Sequence, residues 1–283
     1  MTCINKVIVS TNDNPIFYNL WELIYKSWKL YFPEVDVVLA FVTNRSEDDQ
    51  VVKHLSQWGT VKLYPEIPNI PTSNLSKVVR LIEATKYGKE VCVVNDIDLV
   101  PLQSEYFLNR LELREPNKLL SIGRLTEWEN LRGIKKYENK CPMGYTTGES
   151  FIWKQIINPD NLDYQDLINS WRGLCILDEQ EAIDNPPADG VIPNGFCDES
   201  LLRALRTKAP ELSQIVSLGF NPKVDGIDRS WWDKLDINRL YNNEYVEAHL
   251  PRLQPEHFEK IMTIVDYIKK VSNDKNITFR RKL

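Results

Sequence analysis

The chain has 283 residues and a mass of 33.0 kDa, enough for one large α/β domain with a substantial core. Hydrophobic residues make up 42% and charged residues 27%, a globular composition that excludes the disordered and fibrous classes. The net charge of −5 lacks the basic footprint of a nucleic-acid binder, so no nucleic acid is expected as a partner, while a nucleotide held through a divalent cation stays compatible.

No apolar run approaches the roughly 18 residues of a membrane span. The longest, Val35 to Val42 and Val91 to Val94, are strand-sized. Met1 leads within a few residues into a strand-like Lys6-Val-Ile-Val-Ser10 and not into a secretion signal. A soluble cytoplasmic protein is therefore expected, in the host cytoplasm if the source is viral or phage. The five cysteines (Cys3, Cys92, Cys141, Cys175, Cys197) are dispersed and form no Cys-x-x-Cys pair, which reads as reduced thiols.

In chain order, the apolar strand Lys6–Ser10 runs into the polar segment Thr11-Asn-Asp-Asn14. Asn14 is the expected N-cap of a helix over 15–31, with Pro15 at its first position and an apolar stripe of Phe17, Leu20, Trp21, Ile24 and Trp28. Pro33 ends that helix. Val35–Thr43 is the next strand, Glu47–Trp58 a helix stopped by Gly59, and Thr60–Tyr64 a strand. Three prolines make 65–71 a loop, after which Thr72 or Ser73 caps a helix striped by Leu75, Val78, Val79 and Ile82. Lys77 and Arg80 stand off that stripe. Beyond Gly88, Glu90–Val94 is the most apolar strand of the chain and runs straight into Asn95-Asp96-Ile97-Asp98. Strands and helices alternating in this way predict a mostly parallel sheet.

The second half is less regular. Tyr145–Trp153 is an expected strand, and Tyr164–Trp171, Asp198–Lys208 and Pro255–Val271 are expected helices, with a turn-rich loop over 185–195. The predicted organisation is one domain over 1–271, in two halves, 1–102 and 103–271. A basic tail follows at 272–283.

Ligands of open parallel sheets bind beyond the carboxyl ends of the strands. Two such ends carry polar clusters here, Ser10-Thr11-Asn12-Asp13 and Asn95-Asp96-Ile97-Asp98. Alternate residues share one face of a strand, so Asp96 and Asp98 suit a shared hard cation, Mg²⁺ or Mn²⁺, that also takes substrate phosphates.

This order of features resembles the glycosyltransferases of the GT-A fold, which use nucleotide-sugar donors. The resemblance runs over roughly residues 5 to 255. Val7-Ile-Val-Ser-Thr-Asn12 matches the nucleotide-contacting strand end, Ser76-Lys77-Val-Val-Arg80 the basic helix, and Asp96-Ile-Asp98 the Asp-x-Asp metal motif. Tyr145-Thr-Thr-Gly148-Glu-Ser-Phe151 matches the acceptor-side strand, Phe196-Cys-Asp198-Glu199 an acidic pair opening a helix, and Ala248-His249-Leu-Pro251 the C-terminal metal histidine.

The resemblance implies a mostly parallel α/β sheet flanked by helices, and a hexosyl- or pentosyltransferase using a UDP- or GDP-linked sugar. It implies Asp96, Asp98 and His249 at Mn²⁺ or Mg²⁺, and Ser10, Thr11, Asn12, Lys77, Arg80, Asn95 and Asp96 around the donor. Asp198 or Glu199 would act as base, with Gly148 and Glu149 toward the acceptor. Asp178-Glu179 is a second acidic cluster able to fill the Asp198/Glu199 role. Adjacent Trp231 and Trp232 are expected to offer an indole face to an acceptor sugar. Two other readings of the same Asp-x-Asp stay open. One is a haloacid-dehalogenase-type phosphohydrolase with Asp96 as nucleophile and Asp98 as acid/base, and the other an inactive binding protein on the same fold.

Overall fold

The computed structural model describes residues 4–123, 144–171, 198–217, 226–227, 232, 235–253 and 255–274. The first strand, β1 (Lys6–Asn12), lies between β2 (Asp36–Val42) and β4 (Val91–Val94) and is parallel to both, with β3 (Thr60–Tyr64) parallel on the outer side of β2. β7 (Thr146–Glu149) is antiparallel to β4 and to β6 (Leu119–Gly123), and β8 (Ser213–Ser217) closes the sheet parallel to β6. The strand order β3-β2-β1-β4-β7-β6-β8 makes a seven-stranded, mostly parallel sheet. β5 (Leu99–Pro101), β9 (Gly226–Ile227) and β10 (Glu247–His249) form a second, three-stranded sheet in the order β5-β10-β9.

The central strands read as continuous apolar runs because both faces of the sheet are covered. Val7, Val9, Val37, Leu39 and Phe41 enter one core, and Ile8, Val38, Ala40 and Val42 the other, in strict alternation along β1 and β2. The first core is closed by α2 (Trp21–Tyr31) and the helix Phe258–Asp274. The second is closed by α4 (Thr72–Glu83), α6 (Ser150–Ile157), helix 164–171 as α7, and α8 (Asp198–Lys208). Cys92 is buried in that second core, and burial pushes its thiol up to about 12, which leaves it inert at neutral pH.

Local signals held where they were strongest. Asn14 caps α1 (Pro15–Tyr18) by accepting from Ile16 N–H at 3.0 Å, with Pro15 at the first position. The helix expected over 15–31 is broken at Asn19–Leu20, where Leu20 N–H bonds back three residues to Phe17 O at 2.9 Å. The helix expected over 47–58 is limited to α3 (Gln50–Leu55), because Asp49, not Glu47, supplies the cap to Val51 N–H. The strand expected over 145–153 stops at Glu149 and continues as α6. Phe151, Ile152 and Trp153 look strand-like by composition, but they pack under β4 from a helix. The helix α5 (Ser104–Leu111) and strand β6 lie between Pro101 and Tyr145, where no element is expected from the sequence.

Gly59 is a close-approach position. A Cβ there would stand 2.6 Å from Val37 O and 2.8 Å from the Trp21 ring, both fully packed. Gly59→Ala is expected to cost about 1–3 kcal/mol by overpacking, seen as a lower denaturation midpoint at unchanged m-value.

Candidate active site

The chain turns from β1 outward to β2 and β3, then returns to lay β4 on the other side of β1. The carboxyl ends of β1 and β4 therefore flank the point where the strand order reverses, the crevice in which open α/β sheets bind ligands. Ile8 pairs with Val94, and Asn95 N–H donates to Ile8 O at 2.9 Å, so the Asp-x-Asp turn leaves the sheet beside the last residues of β1.

His249 comes to this turn from the far end of the chain. β10 is antiparallel to β5, with His249 opposite Leu99, and Leu250 N–H donates to Asp98 O at 2.7 Å. That register sets His249 Nε2 3.5 Å from Asp98 Oδ2, both side chains partly open to solvent. The carboxylate and the imidazole make a mixed oxygen–nitrogen donor pair. Among the described residues no three His, Cys, Asp or Glu side chains gather as a complete metal cage. A pair suffices for a hard divalent ion that keeps its other positions for phosphate oxygens and water.

Asp96 is held differently. Its carboxylate accepts from Arg80 Nη1, which also donates to Asn95 O at 2.8 Å, while Arg80 Nη2 pairs with Asp198 at the start of α8. Arg80 is 4% exposed. Burial works against its charge, but the carboxylates of Asp96 and Asp198 hold its pKa above the ordinary value, so the cation persists. One guanidinium thus ties the Asp-x-Asp turn to the acidic helix start.

This corrects the expectation that Arg80 reaches donor phosphates. α4 is buried on more than its Leu75–Ile82 stripe, because the sheet covers one side and α6 another, and the face bearing Arg80 turns inward. Lys77 remains exposed on the same helix. Asn95, also expected at the donor, is completely buried and donates through Nδ2 to Leu99 O at 2.9 Å, so it works behind the turn. Ser10 and Thr11 are buried as well, and the Ser10 hydroxyl donates to Ser76 O. Asn12 is half-buried at the crevice and donates to Thr72 Oγ1 at 3.0 Å.

The acceptor-side expectations fare unevenly. β7 runs antiparallel to β4, which sets Thr146 opposite Val94 at the crevice end but Gly148 opposite Cys92 and Glu149 opposite Val91 at the far end. Glu149 is held there by both terminal nitrogens of Arg114. Gly148 is small for packing, since a Cβ would stand 3.0 Å from Leu119 Cδ1. Neither lines the crevice; a strand's direction, which no short motif reveals, decides this. Trp232 is 4% exposed inside the first core and donates from Nε1 to His249 O at 2.9 Å, so it offers no face to a sugar. Trp231, Asp178 and Glu179 lie outside the described residues, and Glu199 is placed only as the second residue of α8.

One further group at the crevice had no role assigned from the sequence. Asp13, just past β1, accepts from Thr43 Oγ1 and Arg45 Nε, each at 2.5 Å, and Arg45 Nη1 reaches Asp49 at 3.0 Å. The polar run Ser10–Asp13 was the signal for Asp13; Arg45 carries no local signal.

Architecture and site together define an open α/β fold with Asp98 and His249 at its switch-point end. A scan against protein-family models gave no match, and neither did a search of curated proteins. Among solved structures, an active-site mutant of LgtC aligns with TM-score 0.50 at 12% identity over 95% of each chain. The galactosyltransferase LgtC in complex with donor and acceptor sugar analogues aligns at TM-score 0.47 and 12% identity, over 94% of this chain and 95% of its own. The glycosyltransferase GlyE of Streptococcus pneumoniae TIGR4 aligns at TM-score 0.44 and 12% identity, over 99% of this chain and 66% of its own. The chain has the GT-A fold. Among the described residues no helix is long and apolar enough to cross a membrane.

Proposed function

We propose that this chain is a metal-dependent glycosyltransferase, moving a sugar from a nucleotide-diphosphate donor, UDP- or GDP-linked, to a hydroxyl acceptor on a glycan or similar molecule. The observation that carries the reading is the meeting of Asp98 and His249 at 3.5 Å beside the switch-point crevice. Asp98 and His249 would hold the metal. The imidazole nitrogen favours Mn²⁺ over the strictly oxygen-seeking Mg²⁺. When bound, such an ion neutralises charge on the diphosphate leaving group.

The remaining roles fall to this chain's own groups. Arg80 holds Asp96 and Asp198 in fixed orientations and compensates their charge. Lys77, exposed on α4, and the half-buried Asn12 at the end of β1 would contact the donor. Asp198, on Arg80 through one carboxylate oxygen, opens α8, and Glu199 follows it; one of this pair would serve as the base. One of the two takes the acceptor O–H proton as the acceptor oxygen bonds to the anomeric carbon. The bond from that carbon to the phosphate oxygen breaks, and the nucleoside diphosphate leaves with the electron pair.

Thermal unfolding with UDP, GDP and their sugar conjugates, with and without Mn²⁺, tests the proposal. A ligand at about 100 times its dissociation constant adds about 2.7 kcal/mol to the folded state. Stabilisation by one nucleotide only with Mn²⁺, followed by release of that nucleotide from its sugar conjugate, is the expected result. Stabilisation without turnover on any acceptor would point to a binding protein. No shift with any nucleotide, together with release of phosphate from a simple phosphate ester, would overturn the reading.

A further inference from the structure

The Asp98–His249 pair is assembled by backbone pairing, and two buried side chains complete that pairing from outside. Leu250 N–H donates to Asp98 O, and Leu102 N–H to Val246 O at 2.9 Å. Hydrogen-bonded positions therefore fall at Asp98 with Leu250 and at Leu102 with Val246. By the two-residue period of an antiparallel ladder, Leu99 and His249 between them are a non-hydrogen-bonded pair. The carbonyls of such a pair point out of the ladder and, when buried, need donors from elsewhere.

Both receive one. Leu99 O accepts from Asn95 Nδ2, and His249 O from Trp232 Nε1, each at 2.9 Å. Pro101 O, the next outward carbonyl of β5, is met in the same way by Ser27 Oγ at 2.6 Å. Asn95 is also fixed through its own backbone, by N–H to Ile8 O and by its carbonyl accepting from Arg80. Trp232 is fixed by its burial in the first core. Each donor is thus anchored in the main body of the fold and grips one strand of the small sheet at the residue adjoining, or forming, the Asp98–His249 pair.

We infer that Asn95 and Trp232 are positioning residues that set the separation and orientation of Asp98 and His249 as a metal-holding pair. The inference rests on the role proposed above for that pair. Neither residue touches substrate; both act through a backbone carbonyl.

The test titrates Mn²⁺ alone into wild type, Asp98→Asn, Asn95→Leu, Trp232→Phe and Tyr64→Phe, with free Mn²⁺ read by electron paramagnetic resonance. Thermal unfolding of each is measured without metal. Tyr64→Phe removes a buried hydrogen bond to Glu83 on another part of the sheet and calibrates general destabilisation. Asn95→Leu and Trp232→Phe are expected to bind Mn²⁺ about 10-fold or more weakly than wild type, the range found when partners behind metal ligands are removed. Tyr64→Phe should bind like wild type at a lowered Tm. If Asn95→Leu and Trp232→Phe bind Mn²⁺ as wild type does, the positioning role is overturned while the metal pair stands. If their affinities fall only as far as that of Tyr64→Phe, the role is overturned in favour of a structural one. If wild type binds no Mn²⁺, or Asp98→Asn binds as tightly as wild type, the metal reading itself fails and the inference with it. Should Asn95→Leu fail to fold, Trp232→Phe, which keeps an apolar ring in the core, decides alone.

Discussion

Asp98→Asn is expected to reduce sugar transfer by about a thousandfold or more, roughly 4 kcal/mol of lost transition-state stabilisation, with Tm close to wild type. The size follows from chemistry. The substitution keeps the side chain's shape but replaces the anionic carboxylate that stands 3.5 Å from His249 with a neutral amide, a far weaker ligand for a hard cation. The stability forecast follows from exposure, because Asp98 is partly open to solvent and its backbone carbonyl, which carries the bond from Leu250, is unchanged. His249→Ala should act in the same direction and raise the Mn²⁺ concentration needed for half-maximal rate, since its donor is lost while Asp98 remains. Initial rates across a Mn²⁺ titration read both effects. Transfer by Asp98→Asn within a few-fold of wild type would remove this carboxylate from the reaction.

Arg80→Met should have the largest effect on stability. Removing the guanidinium leaves Asp96 and Asp198 drawn together without their shared cation, Asp198 at 6% exposure. Breaking a buried ion pair from one side costs about 3–5 kcal/mol, mostly the penalty for the charge left behind. The same reasoning gives a rescue. Adding Asp198→Asn to Arg80→Met should recover part of the loss, a non-additivity that a double-mutant cycle measures. Denaturant unfolding of the four chains tests this. A single variant as stable as wild type, or a double variant less stable than the single, would show that the pair does not carry the charge balance assigned to it.

The contrast between these two residues shows where sequence reasoning reaches and where it stops. Arg80 and Lys77 sit one helical turn apart, and the periodicity of α4 predicts only that both leave the Leu75–Ile82 stripe. Which of them is buried depends on what packs beside the helix. α6 flanks it and Asp198 of α8 meets Arg80 there, and both helices belong to the second half of the chain. Glu149 fails for a related reason: a segment's composition does not report strand direction, and the antiparallel run of β7 carries Glu149 to the end of the sheet away from the crevice. Trp232 reads as a sugar platform from its neighbour and as a core residue from its surroundings, and only the surroundings bind its Nε1 to His249 O.

By itself the sequence determined the alternation of β1 to β4 with their helices, the cap at Asn14, and the emergence of Asp96 and Asp98 from the most apolar strand. These are written in local periods of hydrophobicity and in turn chemistry, which act over a few residues. The tertiary structure alone decided that His249 meets Asp98 through the register of β10 on β5, that Arg80 joins Asp96 to Asp198, and that Asn95 and Trp232 stand behind the site. Those contacts join segments far apart in sequence, and their geometry is set by strand register and by which layers cover which faces. No local pattern encodes either quantity.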